Sequence, residues 1–426
     1  MRDTGTDAAS GEISPDELSR VRRRTIWVLS AGQVLGGIAF GATISLGAVL
    51  AAEISGDEAF SGLATAFITL GAAALAVPLA AFASRRGRRI SLASGMLLAL
   101  AGVAIVVVAA AVVSFPLLLL AFALIGAGQA ANLQTRFAAA DLATDASRGR
   151  DLSIVVWATT IGAVLGPNLV GPGEVLGQAI GMPPLTGPYI FAVFAQLAAI
   201  AVYVIGLRPD PLLLAQRVAR AVAHGANAIA RADRPLAARY AIIAIAGAHG
   251  VMVAVMAMTP VHLLHHGASL TIIGLTISLH VAGMFALSPV FGILADRVGR
   301  VTTILLGQAL LAASLVIAAI GQESASAVTV ALVLLGLGWS AATVSGSALL
   351  TESSSEALRT RRQGRSDLIM NLVAATGAIL AGIVLGWIGY GGLALCALVI
   401  VAVVTTLAFL GRSGRAVEGA PEPASG

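Results

Sequence analysis

Apolar runs of about 20 residues recur from one end of this chain to the other, and they constrain its fold more than any other feature. A run of that length crosses a bilayer as a helix, because a backbone in lipid must satisfy its own polar groups. The composition agrees, since 58% of the 426 residues are hydrophobic and only 11% are charged. We count twelve spans, near residues 25–52, 60–83, 90–112, 115–137, 152–170, 187–207, 239–262, 269–293, 301–320, 326–350, 367–388 and 390–411.

Basic residues fall on one side of this predicted topology. The sequence has no lysine, and all 26 arginines lie in segments on the same side as the termini. The opposite side carries only acids, which are Glu53, Asp57, Glu58, Glu174 and Glu323. Because basic residues mark the cytoplasmic side, both termini are predicted to be cytoplasmic. The net charge of +5 therefore reflects topology and does not indicate nucleic-acid binding.

The longest hydrophilic segment divides the chain into two halves of six helices. The predicted organisation is a cytoplasmic tail at 1–24, a first half at 25–207, a cytoplasmic linker at 208–238, a second half at 239–411 and a cytoplasmic tail at 412–426. The linker string "LLLAQRVARAVAHGANAIARA" is basic and amphipathic, which predicts a helix on the membrane surface. The predicted fold class is an all-α integral membrane protein.

Similar strings follow the second and the eighth spans. The later one, "FGILADRVGR", resembles the G-x-L-a-D-R-x-G-R signature of the major facilitator superfamily, and its matching residues are Gly292, Leu294, Asp296, Arg297, Gly299 and Arg300. In the earlier one, "AAFASRRGRR", Ala80 and Ser84 replace the glycine and the aspartate; the matching residues are Arg85, Gly87, Arg88 and Arg89. The resemblance implies the twelve-helix fold of that superfamily and transport by alternating access.

Such a turn suits a conformational latch, because glycine lets two helices pack closely and aspartate pairs with arginine at the membrane edge. We predict latch residues in both copies, at Gly292, Asp296, Arg297, Gly299, Arg300, Arg85 and Arg89. Since Ser84 replaces the aspartate of the first copy, the C-terminal latch is predicted to be the more complete one.

The fifth span contains "GAVLGPNLVG", which is similar to the G-x-x-x-G-P signature often found in antiporters of the superfamily. Helix packing also accounts for the string, because small residues let helices approach and a proline bends one of them. The residues concerned are Gly162, Gly166 and Pro167. Both interpretations stay open.

Acidic groups are sparse inside the spans. Asp141, Glu352 and Asp367 are predicted to lie at the cytoplasmic edge, and no carboxylate is predicted near the midplane. Intramembrane ionisable residues are functional candidates by default. Their scarcity disfavours a transporter that holds a proton or an organic cation on a buried carboxylate.

Methionine and histidine concentrate in one short region. Residues 249–284 contain four of the eight Met and five of the six His. Met252 and Met256 are four residues apart on span seven, and His249 precedes them on the same face. His280 and Met284 repeat this spacing on span eight. At about 1.5 Å per residue, Met252 and His280 are predicted to lie roughly 15–17 Å from the outer surface, and His249 and Met284 roughly 20–22 Å from it.

Soft neutral ligands at that depth suggest a metal ion as cargo. Thioether sulfur favours Cu(I), and imidazole also suits copper. A monovalent ion held by neutral ligands needs no buried carboxylate. Met258 points away from this face and is predicted to serve packing. A bilayer-spanning Met is also often only a packing residue.

The M-x-x-x-M motif of span seven and the H-x-x-x-M motif of span eight resemble those of the CcoA-like copper importers, a bacterial branch of the superfamily. The matching residues are Met252, Met256, His280 and Met284, and His249 is added from its position on the helical face. The resemblance implies copper uptake through a bacterial inner membrane, with copper as substrate and no cofactor or enzymatic activity.

Other interpretations stay open at this stage. His262, His265 and His266 are predicted at the outer mouth, where they would pass copper inward or simply form a solvated loop. Close relatives of the copper branch are linked to organic cargo such as riboflavin, and a proton-coupled exporter of drugs or small solutes is a further alternative. A membrane sensor has little support, because the sequence shows no soluble sensing domain. A monomer is expected.

Overall fold

The computed structural model describes residues 14–57, 60, 62–225, 233–268 and 270–418, and the predicted all-α fold is confirmed. Parts of the predicted tails and linker (1–13, 226–232 and 419–426) lie outside the described residues. The helices are α1 (Pro15–Ser55), α2 (Gly62–Arg86), α3 (Arg88–Ala111), α4 (Phe115–Ala140), α5 (Arg148–Asn168), α6 (Val170–Ala179), α7 (Tyr189–Gly206), α8 (Pro211–Gly225), α9 (Pro235–His265), α10 (Leu270–Phe285), α11 (Ser288–Val298), α12 (Arg300–Ile320), α13 (Ala325–Glu352) and α14 (Glu356–Glu418).

Twelve membrane crossings follow from these helices. Ten described stretches are long and apolar enough to span a membrane, and α5 with α6, bent by 52°, makes eleven. The stretch within α14 is 53 residues long, far more than a bilayer core of about 30 Å needs at about 1.5 Å per residue. Its helix breaks at Gly389, where φ is 72° and ψ is −176°. Only glycine adopts such a backbone readily. The break divides α14 into two parts, which form the last two spans.

Helix ends differ from the prediction where local chemistry sets them. The first helix begins at Pro15, ten residues before the predicted span, because the hydroxyl of Ser14 accepts a hydrogen bond from the amide of Glu17 (3.2 Å). The predicted eighth span is broken between Phe285 and Ser288, and α11 begins with proline in its first turn. The eleventh span begins at Glu356 and so extends well beyond the predicted 367–388.

Glycines allow α1 and α5 to pack closely within the first half. A Cβ atom on Gly162 would lie 2.7 Å from the Cα of Gly37, and one on Gly166 would lie 2.7 Å from the Cα of Gly41. The 52° bend between α5 and α6 follows directly after Pro167. The two halves meet where α2 contacts α14 and where α5 contacts α11.

The linker helix α8 is tied to the first turn of α3. The carboxylate of Asp210 accepts hydrogen bonds from the amides of Leu212 (3.1 Å) and Leu213 (3.2 Å), which caps the start of α8. Its other oxygen accepts from the amide of Arg89 (2.7 Å). Leu212 and Leu214 are buried, so α8 lies against the protein on its apolar face.

Candidate transport site and cytoplasmic closure

His280 is held in one tautomer by a contact from α10 to α13. Its Nδ1–H donates to the carbonyl oxygen of Leu332 (2.7 Å), and a carbonyl can only accept. The hydrogen of the neutral ring is therefore on Nδ1, and Nε2 keeps a lone pair. The side chain is fully buried, and Nε2 has no hydrogen-bond partner among the described residues. An imidazole oriented by a backbone carbonyl is the arrangement usual for metal-binding histidines.

His249 is engaged differently. The indole N–H of Trp339 donates to its Nδ1 (2.8 Å), so this lone pair is occupied and Nε2 carries the hydrogen of the neutral ring. Trp339 also packs edge-on against Phe285, with ring centroids 5.6 Å apart. This His249–Trp339–Phe285 group joins α9, α13 and the end of α10. In this conformation His249 offers no free lone pair to a metal ion.

The predicted methionine ligands belong to the packed core of the second half. Met252 and Met284 are buried in a single hydrophobic cluster with Trp339, and Met256 lies at its edge, partly buried. Met258 also contacts Ala254, Ala381 and Leu393, on the side toward α14. Met252 and Met284 are thus shielded from water in this conformation, as packing residues would also be, whereas Met256 keeps some exposure.

The outer histidines line a cavity of about 400 Å³ between α9, α14 and the loop after α12. The Nε2–H of His262 donates to the carbonyl oxygen of Gln322 (2.6 Å), and its ring stacks on Tyr390 with centroids 4.3 Å apart. His266 contacts the His262 ring at 4.2 Å, and His265 completes the rim. Among the described residues no three His, Cys, Asp or Glu side chains form a metal-binding group.

Asp296 joins the two halves at their cytoplasmic ends. Its carboxylate accepts hydrogen bonds from the backbone amides of Gly149 and Arg150, both at 2.9 Å, which caps the N-terminus of α5 across the interface. It also pairs with Arg300, which donates to the carbonyl oxygen of Asp145 (2.7 Å). Gly292 is required here, because any side chain would meet Ser153 and the carbonyl of Gly149. Gly299, at a φ of 101°, makes the turn, and Arg297 is exposed.

In the first half, Arg88 makes the contacts that correspond to those of Asp296 in the second half. The latch residues predicted there were Arg85 and Arg89. Its guanidinium pairs with Asp141 at the end of α4 (2.8 Å) and donates to Gln363 of α14 (2.7 Å). Burial raises the pKa of the Asp141 carboxyl, and the charge of Arg88 opposes that shift. Arg85 is exposed, and the backbone of Arg89 bonds to Asp210.

A buried ion pair also joins the two halves. Asp367, predicted at the cytoplasmic edge, is fully buried and forms an ion pair with Arg136 of α4. Its second oxygen has no partner among the described residues. Because α14 begins 11 residues before Asp367, that side chain lies on a helix that packs between the halves and is covered on all sides. Together with the contacts of Asp296 and Arg88, this pair closes the cytoplasmic side.

Comparison with known proteins agrees with this architecture. The family described as the Major Facilitator Superfamily matches residues 29–269 and 241–425. YddS of Bacillus subtilis, an uncharacterized MFS-type transporter, is 38% identical over 88% of each chain. The riboflavin transporter RfnT of Brucella anthropi is 32% identical, over 86% of this chain and 90% of the relative. The human organic anion transporter MFSD10 superposes with a TM-score of 0.73 at 16% identity, over 91% of this chain and 99% of that structure.

A twelve-helix bundle in two halves, closed at its cytoplasmic ends, is the structure of an alternating-access membrane transporter. The chain belongs to the major facilitator superfamily, which confirms the wider of the two predicted resemblances.

Proposed function

We propose that this transporter imports copper, as Cu(I), through the plasma membrane of a bacterium, with one chain as the working unit. The observation that carries the proposal is the His280 ring, which keeps a buried Nε2 lone pair free in a region that contains Met252, Met256 and Met284. Leaving a buried acceptor unpaired costs about 1–3 kcal/mol. A soft ion would remove that cost, since thioether and imidazole are ligands that Cu(I) accepts.

In this proposal the four side chains act as one site. His280 and Met284 come from α10, and Met252 and Met256 come from α9. His249 stays a weaker candidate, because Trp339 occupies its lone pair. The outer cavity of His262, His265 and His266 would receive the ion first. The bacterial location is supported by the relatives from Bacillus subtilis and Brucella anthropi.

A second candidate function is the import of a small organic solute such as riboflavin. It is supported by the 32% identity to RfnT. The His249–Trp339–Phe285 group also offers aromatic faces of the kind that stack on a flat ring system. For such cargo, the methionines would be packing residues only.

Uptake of both cargoes by matched variants separates the two candidates. Met252→Leu and Met256→Leu keep volume and remove the sulfur, a change that costs less than about 1.5 kcal/mol in stability. At equal expression we expect both variants to accumulate little copper, and Met258→Leu, the control on the same helix, to accumulate as much as wild type. Silver(I) should compete with copper for the wild type. If both test variants take up as much copper as the wild type does, and cells that express the transporter accumulate riboflavin, the organic solute is favoured.

A further inference from the structure

A basic cleft lies at the cytoplasmic ends of α1 and α5, away from the candidate copper site. It has a volume of about 420 Å³, and its lining includes Arg22, Arg23, Trp27, Arg150 and Asp151. Arg22 binds Asp151 through two hydrogen bonds, of 2.5 and 3.0 Å, and Asp151 is 1% exposed. That pair is internally neutral, so Arg23 and Arg150 give the cleft its net positive charge.

Both of these arginines present their guanidinium groups to solvent. Arg23 is exposed, and the side chain of Arg150 is 53% exposed, with its Nε 3.7 Å from Asp151. A guanidinium matches the geometry of a phosphate group and binds it through two parallel hydrogen bonds. The cleft also adjoins the N-terminus of α5, a helix of 21 residues whose dipole favours negative charge there.

The position of the cleft indicates that the phosphate group belongs to a membrane lipid. Arg22 and Arg23 directly precede the first apolar span, while Ile26 and Ile154 line the cleft on the membrane side. Trp27 is 72% exposed, and tryptophan is typical of the membrane–water interface. The cleft therefore lies at the level of lipid headgroups in the cytoplasmic leaflet, where anionic lipids attract basic clusters.

We propose that this cleft binds the headgroup of an anionic phospholipid, with Arg23 and Arg150 on the phosphate and Trp27 against the adjoining glycerol and acyl region. The amide of Arg150 also donates to Asp296, so a lipid bound here holds the N-terminus of α5 against the second half. Bound lipid thereby stabilises the conformation that is closed toward the cytoplasm. This site is independent of the identity of the cargo.

Lipid binding to the purified full-length protein tests the proposal. Native mass spectrometry should show saturable binding of phosphatidylglycerol and much weaker binding of phosphatidylcholine. The double variant Arg23→Gln/Arg150→Gln should bind phosphatidylglycerol about thirtyfold more weakly, because each arginine near an anionic lipid contributes to the binding free energy. The control Arg24→Gln/Arg361→Gln loses the same charge from exposed positions outside the cleft and should bind as wild type does. Equal loss in both double variants would overturn the site, as would no loss in either.

A second measurement does not depend on the double variant. Brominated phosphatidylglycerol should quench the fluorescence of the wild type more than that of Trp27→Phe, and brominated phosphatidylcholine should show no such difference. Equal quenching of both proteins by the anionic lipid would overturn the proposal. Inorganic phosphate alone should leave the unfolding temperature of the wild type unchanged; a rise equal to that given by phosphatidylglycerol would assign the cleft to free phosphate.

Discussion

His249 and His280 differ in which ring nitrogen keeps a free lone pair, and that difference separates a plausible metal ligand from a structural residue. Both lie on helices that face α13, but one receives a hydrogen bond from Trp339 and the other donates one to Leu332. Helical spacing predicts which face each occupies. It cannot predict the tautomer, because the hydrogen-bond partners belong to a helix about 50 to 90 residues away in sequence.

Replacing His280 tests whether its free nitrogen binds the cargo. His280→Met supplies another soft neutral donor, so we expect it to keep part of the copper binding. His280→Leu supplies none, and copper bound per purified chain should fall to the level of protein without a site. The measurement is metal content after equilibration with Cu(I). Copper content at the wild-type level in both variants would show that position 280 is not a ligand.

Replacing Trp339 tests the role of His249. Trp339→Phe keeps an aromatic ring but removes the N–H, which leaves the Nδ1 of His249 unpaired and should cost about 1–3 kcal/mol in unfolding free energy. Copper binding should persist if His249 is only structural. Trp387→Phe, at a position that is 82% exposed, serves as the control and should leave the unfolding temperature unchanged. More copper bound per chain than in the wild type would instead show that His249 becomes a ligand once its Nδ1 is free.

At the scale of helices, the two signature loops contact the helix of the opposite half in different ways. Asp296 caps α5, whose first amides at Gly149 and Arg150 need a partner. The corresponding contact of the first half is between Ala80 and Gly364, where a Cβ on the glycine would lie 2.5 Å from the Cβ of Ala80. Because α14 begins eight residues before Gly364, the amides there are already bonded within the helix. An aspartate at position 84 would therefore find no free amide from which to accept a hydrogen bond.

Substitutions in the two loops should have unequal effects. Asp296→Asn removes the charge and one acceptor from the α5 cap, at a cost of about 0.5–2 kcal/mol to the closed cytoplasmic side. We expect slower transport with nearly intact cargo binding. Ser84→Asp, which restores the family residue in the first copy, should leave transport unchanged. Cargo binding that fell as much as transport in Asp296→Asn would assign that residue to the binding site instead.

The sequence predicts the helices well and their ends less well. The apolar runs and the one-sided arginines suffice for the number of spans, and the turn at Gly389 falls between the predicted spans eleven and twelve. The early start of α1 could have been found, since Ser14 and Glu17 have the spacing of a capping box. The early start of α14 could not, because residues 356–366 carry four arginines and resemble an ordinary cytoplasmic loop.

For the whole molecule, the buried pair of Arg136 and Asp367 is the contact that alternating access must break. It lies between the halves with almost no exposure on either side chain. Charges in such a place are stable only as a pair, because each alone would be an uncompensated buried ion. The pair therefore stabilises the closed cytoplasmic side and must separate when that side opens, since its members belong to different halves.

A double-mutant cycle measures this pair. Asp367→Asn or Arg136→Gln alone should lower the unfolding free energy by about 3–5 kcal/mol. The double variant should recover most of that loss, since neither charge is then left buried. Arg234→Gln, at a side chain that is 42% exposed in its pair with Glu352, is the control and should cost about 1 kcal/mol or less. Additive losses in the buried pair would show that the two charges do not interact.

The short outer connections, which lack arginine and lysine, affect how susceptible each face of the protein is to proteolysis. Outside the membrane, α3 joins α4 through three residues, Val112–Ser114, and the two parts of α14 join at Gly389. No arginine or lysine is predicted on that face, so trypsin would find no peptide bond to cut there. On intact cells the transporter should survive trypsin whole. In inverted vesicles, where the arginine-rich cytoplasmic segments face the solution, the same enzyme should cut it between the halves, at the 208–238 linker, and so report which way each molecule is inserted.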